Sequence, residues 1–71
     1  MKIKYYADTD SLYIDLTGKP SVESDEVAPG IVVDLDESNA VAGIDIDNAS
    51  KKLALGQMEI ESLPAKILLH T

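Results

Sequence analysis

The sequence contains no cysteine, and its one histidine is His70. Disulfides and thiolate metal sites are therefore excluded, as is a His-rich zinc site within one chain. The lack of cysteine fits a reducing compartment. No stretch approaches the run of about 18 apolar residues that spans a bilayer. The N-terminal M-K-I-K-Y-Y-A-D has no run of apolar residues, so neither a signal peptide nor a membrane anchor is expected there, and the expected location is cytoplasmic. Glycine-rich phosphate loops are missing too; the four glycines stand singly in turns or strands. Basic residues are scarce, six Lys and Arg against 13 Asp and Glu, for a formal charge of −7. Nucleic-acid binding needs a basic footprint that releases counterions, so neither nucleic acid nor an anionic membrane is an expected partner. A chain of this charge stays in solution and attracts basic partners or cations.

With 71 residues the chain makes a single domain, 1–71. A domain of this size buries only about 60% of its unfolded surface. Small scaffolds are commonly supported by disulfides, a metal or oligomerisation. With disulfides excluded, a homodimer or a carboxylate-bound cation remains, and a homodimer is expected.

What is present is alternation. Lys2 to Tyr6 is a short strand with Ile3 and Tyr5 on one face, and Ala7-Asp8-Thr9-Asp10 is turn chemistry. In Ser11 to Leu16, Leu12, Ile14 and Leu16 share one face, while Ser11, Tyr13 and Asp15 share the other. Thr17-Gly18-Lys19-Pro20 turns the chain. Val22 to Val27 (V-E-S-D-E-V) has little to bury and reads as an edge strand guarded by charge. Pro29-Gly30 suits the centre of a type II turn, with proline presetting φ and glycine taking φ > 0. Ile31, Val33 and Leu35 then share a face opposite Val32, Asp34 and Asp36, and Glu37-Ser38-Asn39 closes a hairpin. In Ala40 to Asp47, Ala42, Ile44 and Ile46 face inward and Val41, Gly43, Asp45 and Asp47 outward, with a bulge or a close contact expected at Gly43. Asp47 or Asn48 is the expected N-cap of a helix over Ala49 to Leu55 that stops at Gly56 and docks on the sheet. Gln57 to Glu61 alternates once more as a sixth strand, or the segment to Leu69 forms an apolar arm docked on its own core or on a second subunit. The fold class is α+β: an antiparallel meander of about five short strands, one short helix and this C-terminal arm or strand, since loops of two to five residues join antiparallel neighbours.

The acids stand in pairs of spacing two, Asp8/Asp10, Asp34/Asp36 and Asp45/Asp47. Residues i and i+2 of a strand point the same way, about 6 to 7 Å apart. Pairing of the strands on either side of 37–39 sets the outward acids across from each other, and like charges opposite one another are destabilising by about 0.2–1 kcal/mol. A hard cation at Asp34, Asp36, Asp45 and Asp47 would relieve this. An EF-hand loop, however, needs a glycine and a twelfth-position Glu that are missing after Asp34-x-Asp36-x-Ser38, so a solvated acidic face is the plainer reading. Acid–base work by paired carboxylates requires a cleft and one raised pKa. Ser11, Ser24, Ser50 and Ser62 have no base at a recognisable spacing, and His70 sits at the chain's end as a surface residue. Tyr5, Tyr6 and Tyr13 lack the basic surround of a stacking platform and read as packing. No catalytic residue and no cofactor are assigned.

Three stretches, K-I-K-Y-Y-A-D-T-D-S-L-Y-I-D-L from Lys2, E-S-D-E-V-A-P-G-I-V-V-D-L-D from Glu23 and V-A-G-I-D-I-D-N-A-S-K from Val41, together resemble domain-of-unknown-function family 2283 (YuzE-like), small uncharacterised prokaryotic proteins. The resemblance covers about residues 1–53. It implies a compact α+β domain, no catalytic residues to carry over, and, by association with two-gene systems, an antitoxin-like role. Asp45 and Asp47 depart from the family's pattern, which more often carries Glu and an aliphatic residue there. Two functions follow. One is a non-enzymatic binding module that takes a basic protein partner through Glu23, Asp25, Glu26, Ile67 and Leu68. The other is a carboxylate-based metal-binding protein or metal-dependent enzyme using the outward aspartates.

Overall fold

The computed structural model describes residues 1–68; Leu69, His70 and Thr71, and with them the expectation of a surface His70, lie outside the described residues. Five strands, β1 (Lys2–Tyr6), β2 (Ser11–Asp15), β3 (Glu23–Ala28), β4 (Ile31–Leu35) and β5 (Val41–Ile46), are followed by one helix, α1 (Ala49–Lys52). The strands form one antiparallel sheet in the order β1-β2-β5-β4-β3. The α+β architecture is thus the expected one, and the chain meanders in two pieces, a β1–β2 hairpin and a β3–β4–β5 run, that meet along β2 and β5. The polar Val22–Val27 stretch does supply an edge strand. The aliphatic-rich β5 takes the centre because a central strand is flanked on both sides, whereas β3 has carboxylates best left at the rim.

Register assigns the faces. Leu12 lies opposite Ile46 and Ile14 opposite Ile44, while Ile31 and Val33 lie opposite Ile46 and Ile44. Ile3 and Tyr5 extend this aliphatic face on β1. The core of buried Leu12, Ile46 and Ala49 gathers Ile14, Ile31, Ile44 and Leu55 around it. It is a thin core: among the described residues no large side chain is fully buried.

The turns follow their sequence cues. Gly30 takes φ +73° beside Pro29, and Ala28 pairs with Ile31 across that corner. The β4–β5 loop is organised by Asp36, whose carboxylate Oδ1 accepts the backbone N–H of Ser38 (2.8 Å) and of Ala40 (3.1 Å). Its own N–H donates to the Ala40 carbonyl at 2.8 Å. Asp36 is buried and beyond the end of β4, which corrects its placement on an outward strand face. Asx side chains stabilise turns by this substitution for backbone acceptors.

The helix departs most from expectation. It spans four residues, Ala49–Lys52, and Leu53 is already extended at φ −126° and ψ 150°. Neither Asp47 nor Gly56 delimits it. Asn48 occupies the N-cap in the left-handed region (φ 51°) with no side-chain cap bond. The cap comes from the β1–β2 turn instead. Asp10 accepts the Ser50 hydroxyl at 2.6 Å and the Ser50 N–H at 3.1 Å, and its carbonyl accepts the Ala49 N–H at 2.8 Å. Tyr5 adds its hydroxyl to Asp10 at 2.7 Å. At the other end Lys52 donates its ammonium to the Asp47 carbonyl, close against Gly30 of the β3–β4 corner. The helix therefore bridges two turns at one end of the sheet. So short a helix has almost no stability of its own.

No strand forms between Leu53 and Leu68, which corrects the sixth strand expected at Gln57 to Glu61. Ser62 turns the path with φ +54° just before Pro64, which has no N–H to give to a sheet ladder. Ile67 and Leu68 are exposed (53% and 73%), so this part of the arm is not docked on the chain's own core. Among the described residues no helix is long and apolar enough to cross a membrane.

The cap can be tested through its charge. Bonds from the Ser50 hydroxyl and then the Tyr5 hydroxyl hold the Asp10 carboxyl below its ordinary 3.8. A depressed carboxylate contributes stability that is complete above the unfolded value and is lost as pH falls through the lower folded one. Asp10→Ala should lower the thermal midpoint followed by circular dichroism at pH 7. Its deficit relative to the parent chain should shrink as the pH drops below 3.8.

Candidate functional site

The outward side of the sheet carries a row of polar groups running across four strands. Asp34 on β4 lies opposite Gly43 on β5 and opposite Ser24 on β3. Asp34 accepts the Ser24 hydroxyl at 2.7 Å on one oxygen and the Tyr13 hydroxyl at 3.0 Å on the other. Tyr13 belongs to β2, two strands away, so its ring must cross β5 to arrive. It does so over Gly43: a Cβ there would overlap the Tyr13 hydroxyl and lie 2.8 Å from its Cζ and 3.1 Å from the Ile14 carbonyl. The close approach expected at Gly43 is thus the passage of an aromatic ring, and the β4–β5 register also shifts between Asp34 and Leu35. Burial, followed by the bond to Asp34, pushes the Tyr13 phenol above its ordinary 10.0, so it is a standing donor at neutral pH.

The four aspartates proposed as cation ligands do not converge. Asp45 lies opposite Val32 and Tyr13, not opposite an acid, so the like-charge facing inferred from pairing the strands does not occur. The carboxylate of Asp36 points into its own loop. Asp34 has both oxygens engaged by hydroxyl groups. Asp47 is at the end of β5, 3.5 Å from the Ser11 hydroxyl. Among the described residues no group of three or more His, Cys, Asp or Glu is placed to hold a metal ion. Asp45 is nonetheless electrostatically distinct. Burial, then the charges of Asp47 and Asp34, raises its carboxyl above 3.8. One concavity, about 420 Å³, is lined by Lys19, Pro20, Val22, Asp36, Glu37 and Ser38, and none of Asp34, Asp45 and Asp47 reaches it. The raised carboxyl and the concavity are thus at different places on the surface.

The second candidate surface is the β3 edge. β3 pairs with β4 on one side, and Glu23 to Val27 are exposed throughout. Of the residues assigned to a partner, Glu23 and Asp25 lie opposite Leu35 and Val33 and so project on the aliphatic side, whereas Glu26 lies opposite Val32 on the acidic side. The register shift between Glu26 and Ala28 is a bulge that ends the regular edge. Ile67 and Leu68 are exposed on the arm, which no regular element ties to β3. The Tyr13–Gly43–Asp34–Ser24 row escaped sequence reasoning. Its signal was there in an outward Tyr, a mid-strand Gly and an outward Asp, but only the register shows that they are neighbours.

A family model described as Protein of unknown function (DUF2283) matches residues 2–50, which include all five strands and the first residues of α1. No curated protein and no solved structure matches the chain.

The polar row makes two quantitative expectations. Gly43→Ala should destabilise the fold by about 1–3 kcal/mol, as overpacking does, by forcing Tyr13 away from Asp34. The same change made on a Tyr13→Ala background should cost less, as measured by urea unfolding. Asp45→Asn should raise the thermal midpoint at pH 7. A raised carboxyl opposes folding above its folded value, so the gain should fade as pH falls towards 3.8 and vanish below it.

Proposed function

We propose that this chain, which belongs to the DUF2283 family of proteins of unknown function, is a non-enzymatic interaction module that takes a basic protein partner along β3. The observation that carries the reading is the edge itself. It presents the stretch Glu23 to Glu26, exposed and paired on one side, with three carboxylates in four positions. An extended segment added to such an edge gains main-chain hydrogen bonds, while side-chain pairs select it. Each cross-strand pair of Lys or Arg with Glu23, Asp25 or Glu26 contributes roughly 0.2–1 kcal/mol, and a like-charged strand is repelled by a similar amount. The bulge after Glu26 confines the docking to this stretch.

The net charge of −7 supports the same choice of partner, by drawing cationic proteins to the surface before any contact forms. An antitoxin-like role is the form of this reading in which the basic partner is a small toxin made alongside the chain.

The test is affinity capture from the source cell at low and at high salt, with the parent chain and with the Glu23→Lys, Asp25→Lys, Glu26→Lys triple variant. Basic proteins should be retained by the parent at low salt, and lost both at high salt and on charge reversal. Recovery of the bait alone, or of the same proteins by both chains, would rule the reading out.

A further inference from the structure

We propose that the aliphatic face of the sheet is covered by a second copy of this chain, packed face to face about a two-fold axis lying across the strands. The proposal concerns the opposite surface from the polar row and does not depend on capture of a partner at the edge.

The face is built for burial and is only partly buried: Ala42 is covered at the end away from α1, while larger side chains along it are not. Ala49 of α1 is wholly covered where it meets Leu12 and Ile46. Further along the strands, Ile3, Ile14, Ile44 and Val33 form a continuous row through the register, and Leu35 stands beyond Val33 on β4. Ile3 is 45% exposed, and Ile14, Ile44, Val33 and Leu35 are only partly covered. From Leu53 to Leu68 the chain forms no strand or helix over this row. The surface is therefore stepped, raised by α1 at one end and lower at the other, where no helix lies over it.

Charge follows the same step. Lys51 and Lys52 stand on α1 at the raised end. Glu23 and Asp25 project on the same side of the sheet at the lower end, as their pairing with Leu35 and Val33 shows. Stacking two copies about an axis parallel to the strands would set helix on helix and lysine on lysine. An axis across the strands instead lays each helix over the partner's lower end. It also turns each Lys51 towards the partner's Glu23 and Asp25. Raised against lower and cation against anion is the self-complementarity that an isologous interface requires. No other occupant needs to match both patterns at once.

The area sets the strength. Five strands about 4.8 Å apart and five residues long at about 3.4 Å each give roughly 400 Å² of sheet per copy. Part of that area already lies under the chain's own α1, so two faces bury at most about 800 Å², which belongs with the smaller, weaker interfaces. Dissociation in the micromolar range is the expected strength.

Sedimentation equilibrium over a wide concentration range tests the arrangement. The parent chain should rise from 7.6 kDa towards twice that mass. Val33→Glu should hold it at the monomer mass. Because Val33→Glu also risks the fold, exposed charges supply the second arm. Lys51→Glu alone, and Glu23→Lys with Asp25→Lys, should each weaken association about tenfold. Combining all three should restore it. A monomer at every concentration, a dimer indifferent to Val33→Glu, or charge reversals that weaken association without mutual rescue would each overturn the proposal.

Discussion

Pairing of β5 with β2 on one side and β4 on the other turns two separate hairpin units into one sheet. Neither unit is self-sufficient. A two-stranded hairpin is marginal in water, and three or more strands with an apolar face are needed for independent stability. Placing Ile44 and Ile46 between Ile14 and Leu12 on one side and Val33 and Ile31 on the other gives each of the two central isoleucines an aliphatic neighbour on both sides. The remaining features of the molecule either strengthen that seam or are placed by it.

At one end of the sheet the seam is strengthened from the aliphatic side. A four-residue helix hardly pays for its own nucleation, yet α1 persists because Asp10 supplies its cap and Leu12 and Ile46 take its one alanine. That arrangement draws the β1–β2 turn to the segment that leaves β5, so the two units are tied through side chains as well as through the ladder. On the polar side the Tyr13 hydroxyl reaches Asp34 across β5, with Gly43 as the gap through which it passes. The acids of the β3–β4 hairpin and its following loop are consequently spoken for unevenly. Asp34 and Asp36 are bound within the fold, whereas Glu23, Asp25 and Glu26 are left to the solvent and to whatever meets the edge.

The elements were largely legible in the sequence, and their arrangement less so. Alternation of Leu12 with Ile14 and of Ile31 with Val33 marks strands because a period of two needs only neighbouring residues to be seen. The guarded edge was legible in V-E-S-D-E-V, since charge without aliphatics has nowhere else to go in a sheet. The neighbour of β2 was not, because the pairing of Leu12 with Ile46 depends on no local signal. For the same reason Asp10 passed for a simple turn residue: its hydrogen-bond partner Ser50 is 40 positions away. Asp36 was misplaced because the strand pattern runs one residue too far, while the backbone N–H groups of Ser38 and Ala40 claim its carboxylate for the loop. The helix was drawn too long because Ala54 and Leu55 favour helix by propensity, and propensity yields to where the chain finds apolar contact.

Tyr13 also bears on the cost of joining the strands. The contacts of the β3–β4–β5 run are short in sequence; Val33 meets Ile44 eleven positions on (44 − 33). Leu12 meets Ile46 only after 34 positions (46 − 12). Loop-closure entropy grows by about 0.6 kcal/mol for each doubling of length, so joining β2 to β5 costs about 1 kcal/mol more than joining β4 to it. The seam is thus the strand pairing with the larger entropic cost of closing. Tyr13 lies astride that seam, anchored on β2 and bonded to Asp34 on β4. Separating β2 from β5 therefore also breaks a bond to the strand beyond, which adds to the cost of opening the costliest pairing.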